Sequence, residues 1–233
     1  MKKEHVCLGR VPCLVWGEDS DRAFVYVHGK QSRKEYAEDF AALAASHGWQ
    51  TVSFDLPRHG ERADSPECCN VWEGIADLCT VLAWVRARWP RLGLFACSLG
   101  AFFALHAYED APFEHCLFQS PIVDMDYLIH QMYGWFGVTE ERLRQEGKID
   151  TPIDTMSWRY AAWVKAHPVV SWPHPTDILY AEKDSMQSLQ VMQGFARQFG
   201  CQLTIAPGCE HPFMAPGDTG IVHDWMEECL CRM

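Results

Sequence analysis

No stretch of the sequence stays apolar for the length of a membrane span. The segment Leu92–Leu105 comes nearest in character, but it is fourteen residues holding a serine and two glycines, where a spanning helix needs about 20 apolar residues. Positive charge is scarce as well. Lys and Arg number 20 against 31 Asp and Glu, a net charge of −11, with no basic patch. A nucleic acid, held through clustered cations on its phosphates, is therefore not an expected partner. The N-terminal residues Met1 to Cys7 contain neither a long apolar core nor a small-residue cleavage site, so a cytoplasmic location is expected. Cys-x-x-Cys spacing is also missing. The close cysteine pairs are Cys68-Cys69 and Cys229-x-Cys231, and no zinc or redox motif, hence no metal, is expected from them. The eleven cysteines are odd in number and irregular in spacing, which argues against a disulfide framework. Cys79, Cys97 and Cys116 lie inside apolar segments, where free cysteine behaves as a small hydrophobe. Nothing divides the 233 residues in two, so one domain spanning 1–233 is expected.

What is present is a rhythm of short apolar runs and longer amphipathic stretches. Val6–Leu8, Val11–Trp16, Ala23–Val27, Gln50–Phe54, Leu92–Cys97, His115–Gln119, Asp177–Ala181 and Gln202–Ala206 read as strands. Helical patterns fall at about Lys34–His47, Val71–Trp89, after Ser98, at about Gln187–Phe199 and at the C-terminus. On the second of these, Ile75, Leu78, Leu82 and Val85 are expected to mark the buried side. Such alternation predicts an α/β fold with a mostly parallel sheet of about eight strands covered on both faces. Ligands in such sheets gather at the carboxyl ends of the strands. His28, Gly29, Asp55, Ser98, Asp184 and His211 all fall there.

Ser98 sits where a strand becomes a helix within one residue. That turn forces positive φ and is tolerated only beside small residues, here Ala96 and Gly100. It lifts the hydroxyl to a helix N-terminus, where free N–H groups favour negative charge. The same residues could equally build a buried strand and helix with an inert serine, so the reading depends on partners. A serine needs a base, and the base needs a group to orient it. Ser98, Asp184 and His211 supply all three in the chain order Ser, Asp, His.

These residues, with Val27-His28-Gly29, Asp55-Leu56-Pro57-Arg58-His59-Gly60, Leu179–Asp184 and Gly208-Cys209-Glu210-His211, resemble the α/β-hydrolase fold family, and within it the small lipase, esterase and serine-aminopeptidase branch with a helical lid. The resemblance implies Ser98 as nucleophile, His211 as general base and then acid, and Asp184 as the orienting carboxylate. It implies the backbone N–H groups of Lys30 and Leu99 as the oxyanion hole. Ala96 stands where the family more often has Gly, a small departure that still meets the steric need. Asp124 and Asp126 are rival positions for the acid, and His223 for the base. His59 is expected to brace the backbone, and Cys97 to point into the core. Glu210 either tunes His211 or faces water.

From about 122 to 172 the strand rhythm stops. Tyr127–Trp135, Thr139–Glu146 and Asp154–His167 read as short helices, an insertion at the carboxyl ends of the strands that would form a lid. Most of its aromatic residues are expected to pack among themselves. Tyr127, Met132, Trp135, Phe136 and Trp158 are the candidates to line an apolar or aromatic substrate. The expected activity is hydrolysis of a carboxylic ester, a small molecule, through an acyl-enzyme. No cofactor is implied, because the chemistry needs only protons and a hydroxyl. A serine aminopeptidase, with Glu140, Glu141, Glu146 or Asp150 holding the substrate amine, a thioesterase, and a non-catalytic binding protein on the same fold are the alternatives. No oligomeric state is specified by the sequence.

Overall fold

The computed structural model describes residues 1–233. The strands are β1 (Lys3–Leu8), β2 (Val11–Trp16), β3 (Arg22–Val27), β4 (Gln50–Phe54), β5 (Arg91–Cys97), β6 (Phe113–Gln119), β7 (Lys148–Asp150), β8 (Thr155–Ser157), β9 (Thr176–Ala181) and β10 (Gln202–Ala206). The helices are α1 (Glu38–Ser46), α2 (Val71–Arg86), α3 (Leu99–Ala107), α4 (Met125–Phe136), α5 (Glu140–Glu146), α6 (Trp158–Ala166), α7 (Leu189–Phe199) and α8 (Asp218–Leu230). No helix is long and apolar enough to cross a membrane. Eight strands form one sheet in the order β1-β2-β4-β3-β5-β6-β9-β10. From β4 to β10 every pairing is parallel, and β1 and β2 are added antiparallel at one edge.

Strand β5 shows why this sequence folds into layers. Its residues Leu92 to Ala96 are all buried, with Leu92, Leu94 and Ala96 in one apolar cluster and Phe95 in the other. Period-two alternation sends successive side chains to opposite faces. One face meets Val71, Leu78, Val81 and Val85 of α2, Phe102 and Phe103 of α3, and Met192 and Phe195 of α7. The other meets Phe40, Ala41 and Ala44 of α1 and Trp225 and Met226 of α8. A strand buried on both faces has to be a continuous apolar run, which is how β3, β4 and β5 read in the sequence.

Two expectations are corrected. Helix α2 buries the stripe Val71, Gly74, Asp77, Leu78, Val81 and Val85, leaving Ile75 and Leu82 half-buried. The stripe is rotated because Asp77 turns inward to the guanidinium groups of Arg10 and Arg62. In the 122–172 insertion, the helix expected from Asp154 begins only at Trp158, because Thr155–Ser157 pairs antiparallel with Lys148–Asp150 in a short hairpin. Its turn is closed by the Thr151 N–H and hydroxyl, both donating to the Asp154 carbonyl. Three-residue strands are too short for periodicity to reveal.

The start of α3 lies hard against β3. A Cβ at Gly100 would sit 2.4 Å from the His28 carbonyl oxygen and 2.7 Å from that of Val27. Both neighbours are backbone and cannot yield as a flexible side chain would. Gly100→Ala is therefore expected to lower the unfolding free energy by about 3 kcal/mol or more. Gly194, inside α7 with open space around it, provides the contrast. Gly194→Ala should raise the unfolding free energy by about 0.5–1 kcal/mol, both changes being read from urea denaturation.

Candidate active site

Ser98 is the junction of β5 and α3, with φ 49° and ψ −118°. The conformation is over-determined by its surroundings. The Ser98 N–H donates to the Gln119 carbonyl at 3.2 Å, and its own carbonyl accepts from the N–H groups of Ala101 and Ile122, each at 3.1 Å. The hydroxyl does not cap the helix it precedes. It lies instead 2.8 Å from His211 Nε2. On the far side of the ring, His211 Nδ1 is 2.8 Å from Asp184 Oδ2. A carboxylate only accepts, so the ring hydrogen is assigned to Nδ1 and Nε2 is left to accept the serine proton. The second Asp184 oxygen accepts the Met186 and Gln187 N–H groups at 2.7 and 3.1 Å. The Asp184 side chain is fully buried and that of His211 nearly so. Hydroxyl, imidazole and carboxylate thus form a continuous hydrogen-bonded chain with its carboxylate end buried.

Facing the hydroxyl is the turn that leaves β3. A Cβ on Gly29 would lie 3.1 Å from the Ser98 Cβ and 3.3 Å from the Cys97 carbonyl oxygen, so the two backbones approach as closely as glycine allows. Two buried imidazoles hold this turn to the loop after β4. His28 Nδ1 donates to the Gly29 carbonyl at 2.7 Å, and its Nε2 accepts the Leu56 N–H at 3.1 Å. His59 Nδ1 donates to the Pro57 carbonyl at 2.9 Å, and its Nε2 accepts the Gln31 N–H at 3.0 Å. The carbonyl gripped by His28 belongs to the same peptide unit as the Lys30 N–H, so its orientation is fixed by that bond. Outside the regular ladders, no hydrogen bond engages the N–H of Lys30 or Leu99. Both are free to donate.

Beneath this turn lies a buried charge network. Asp55 accepts the Lys34 N–H at 2.9 Å, the Lys34 ammonium at 2.6 Å and the Glu61 N–H at 3.0 Å. The ammonium also meets Glu61 and Glu35 at 2.7 and 3.1 Å. Burial would lower the Lys34 pKa, but the three carboxylates outweigh it and raise it. Lys34 is held charged and anchors the loops after β3 and β4 to each other.

The other candidates fall as follows. Asp124 caps α4 by accepting the Tyr127 N–H, and Asp126 is placed beside His130; neither bonds His211. His223 is exposed beside Asp224, and the Glu210 side chain faces water. Cys97 packs in the apolar cluster with α1 and α8, and burial pushes its thiol up to about 12. Met132, Phe136 and Trp158 are half-buried against the main core, Tyr127 is half-buried, and Trp135 is 42% exposed. Sequence reasoning missed Gln187. Its buried amide accepts from the Val123 and Asp124 N–H groups and donates to the Asp124 and Met186 carbonyls, tying the start of the insertion to the Asp184 loop. It missed Gln119 too, whose amide donates to the Pro212 carbonyl beside His211. A lone glutamine carries no signal in sequence; both are found only through their partners.

No protein-family model and no curated protein matches the chain. Solved structures do. Est1E from Butyrivibrio proteoclasticus, with ferulic acid bound, superposes with a TM-score of 0.78 at 13% identity, over 98% of each chain. Mouse alpha/beta hydrolase domain-containing protein 10 gives 0.78 at 15%, over 100% of this chain and 99% of that one. The Paleococcus ferrophilus monoacylglycerol lipase gives 0.68 at 17%, over 100% and 99%. Identities this low establish shape alone, and the shape is the α/β-hydrolase fold.

The buried imidazoles make stability depend on pH. Burial lowers His28 and His106 from 6.5 to about 4, and lowers His59 as well. The unfolded chain therefore takes up these protons first. The histidine contribution to stability falls as the pH drops from about 6.5 to about 4 and changes no further below, by about 1.4 kcal/mol per pH unit for the fully buried His28. His106 Nε2 has no hydrogen-bond partner, and its ring packs between Phe102 and Trp163. His106→Phe should thus flatten the dependence, with a urea midpoint that drops less between about pH 7 and pH 5 than that of the parent protein.

Proposed function

We propose that this chain is a serine esterase acting through an acyl-enzyme on small carboxylic esters with an apolar or aromatic portion. The observation that carries the reading is the pair of 2.8 Å contacts aligning Ser98 Oγ, His211 and Asp184. In the reaction, Ser98 Oγ attacks the ester carbonyl carbon as its proton passes to His211 Nε2. Asp184 steadies the imidazolium. The oxyanion that forms sits against the N–H groups of Leu99, at the N-terminus of α3, and Lys30, donors already in place before charge develops. Collapse expels the alcohol, which takes its proton from His211. Water then enters with His211 as base, and the acid leaves as Ser98 is restored.

Residues 122–172 act as the lid of a single domain, 1–233. They leave β6 at its carboxyl end and return to the start of the parallel strand β9, and Asp154 of the hairpin turn forms an ion pair with Lys30 of the turn beside Ser98. Met132, Phe136 and Trp158, half-buried against the main core, with Tyr127 and the more exposed Trp135, are the apolar and aromatic side chains of the insertion that would wall a substrate site. The aromatic acid held by Est1E suits such a wall. The carboxylates an aminopeptidase would use are engaged elsewhere: Glu140 with Lys165, Glu141 with Arg144, Glu146 with Arg142 and Asp150 with Thr155. The ester reading is therefore the one supported.

A fluorophosphonate probe should label Ser98 in the parent protein and leave Ser98→Ala unlabelled. Turnover of p-nitrophenyl esters should fall by about 10⁴-fold or more in Ser98→Ala and His211→Ala and by about 10⁴-fold in Asp184→Asn. Hydrolysis unchanged by Ser98→Ala would overturn the reading. Gly29→Ala, which pushes the oxyanion turn away from Ser98, should lower kcat by about 10- to 100-fold with a smaller change in KM.

A further inference from the structure

Helices α1 and α8 pack side by side on the face of the sheet away from α2 and α3. Their C-terminal ends meet, and three side chains with ligating atoms meet there too. His47 closes α1, Glu227 lies in the last turn of α8 and Cys231 closes α8. His47 Nε2 is 3.1 Å from both Glu227 oxygens. Cys231 Sγ is 3.6 Å from Glu227 Oε1, and one donor atom from each residue lies within 4.8 Å of the others. A tetrahedral zinc shell with bonds of 2.0–2.3 Å spaces its donors by about 3.3–3.6 Å. The Glu227 contacts already match that spacing, and the His47 to Cys231 separation, at most 4.8 Å, needs to close by no more than about 1.5 Å.

We propose that His47 Nε2, the Glu227 carboxylate and the Cys231 thiolate bind one zinc ion, clamping α8 to α1. A nitrogen, an oxygen and a sulfur donor suit a borderline-soft transition ion, and the thiolate disfavours magnesium and calcium. The side chains of His47 and Glu227 are 23% and 42% exposed, so an ion can enter from solvent. His223 stands one turn before Glu227 on α8, and it or water completes the shell. As the ion binds, the Cys231 S–H proton is released to solvent and a Zn–S bond takes its place, while His47 gives up the Nε2 hydrogen that it donates to Glu227 and its neutral ring keeps one hydrogen on Nδ1.

The test uses the full chain stripped of metal with a chelator. Zinc is titrated by calorimetry, and cobalt(II) serves as the optical probe of a thiolate ligand. One equivalent should bind, with a cobalt thiolate charge-transfer band that disappears in Cys231→Ser and persists in Cys7→Ser, an exposed cysteine elsewhere. His47→Ala should weaken zinc binding at least tenfold, and zinc should raise the Tm of the parent but not of Cys231→Ser. Cys231 is exposed at a helix end, so circular dichroism of its serine variant should match the parent. Absence of saturable binding at millimolar metal, or a thiolate band that survives both Cys231→Ser and His47→Ala, overturns the proposal.

Discussion

Ser98 holds a left-handed backbone conformation that costs a residue with a side chain about 1–3 kcal/mol, and the rest of the site follows from how that conformation is held. Three backbone hydrogen bonds pin its peptide groups to β6, to α3 and to the start of the insertion. The approach of α3 to β3, close enough to exclude a Cβ at Gly100, leaves the turn no room to relax. Strain and contact have one effect together. The hydroxyl is lifted clear of the sheet, and the first N–H of α3 and the Gly29–Lys30 peptide are brought to its side.

Around this turn the chain buries polar groups in two different ways. Below it, Lys34 and Asp55 are buried as an ion pair with further carboxylate and backbone partners, so charge is matched locally and two loops are locked in register. Beside it, His28 and His59 are buried neutral, each using one ring nitrogen to donate and the other to accept. Neutral imidazoles suit this position. A cation there would lose its acceptor nitrogen and release the Leu56 or Gln31 N–H it holds. The burial that makes these rings costly to protonate is therefore what keeps those two N–H groups held, and with them the turn after β3 tied to the loop after β4.

The layered sheet was legible because its inner strands are buried on both faces. Val11–Trp16 and Gln50–Phe54 have the bounds that their apolar runs indicated, and the largely exposed edge strand Gln202–Ala206 also has the expected bounds. Ser98, Asp184 and His211 stood out because each follows a strand, and strand ends converge on one rim of a parallel sheet. What could not be read depends on pairing between distant elements. The rotated stripe of α2 follows from Arg10 and Arg62 reaching Asp77. The β7–β8 hairpin is fixed by its turn rather than by periodicity. His47 and Glu227 are 180 positions apart, so no local spacing signals their contact.

The insertion is not uniformly fixed to the body beneath it, and the difference bears on how an ester would reach Ser98. Helix α6 buries Ala161 and Val164 in the main core, and Tyr160 and Trp163 pack edge-on against Trp72 of α2. Fully burying one such side chain is worth about 1.5–3 kcal/mol, so displacing the whole helix would cost a large part of the stability of a domain this size. The hairpin turn is different. Pro152 to Thr155 are exposed, and their tie to the body is the partly exposed Asp154–Lys30 ion pair, a kind of contact worth about 0–1 kcal/mol. The turn is therefore the weakly held part of the insertion and α6 the firmly held part. Because Lys30 carries both the ion-pairing ammonium and an N–H that no backbone carbonyl engages, a displacement of the hairpin turn would be transmitted to the peptide that packs against Ser98.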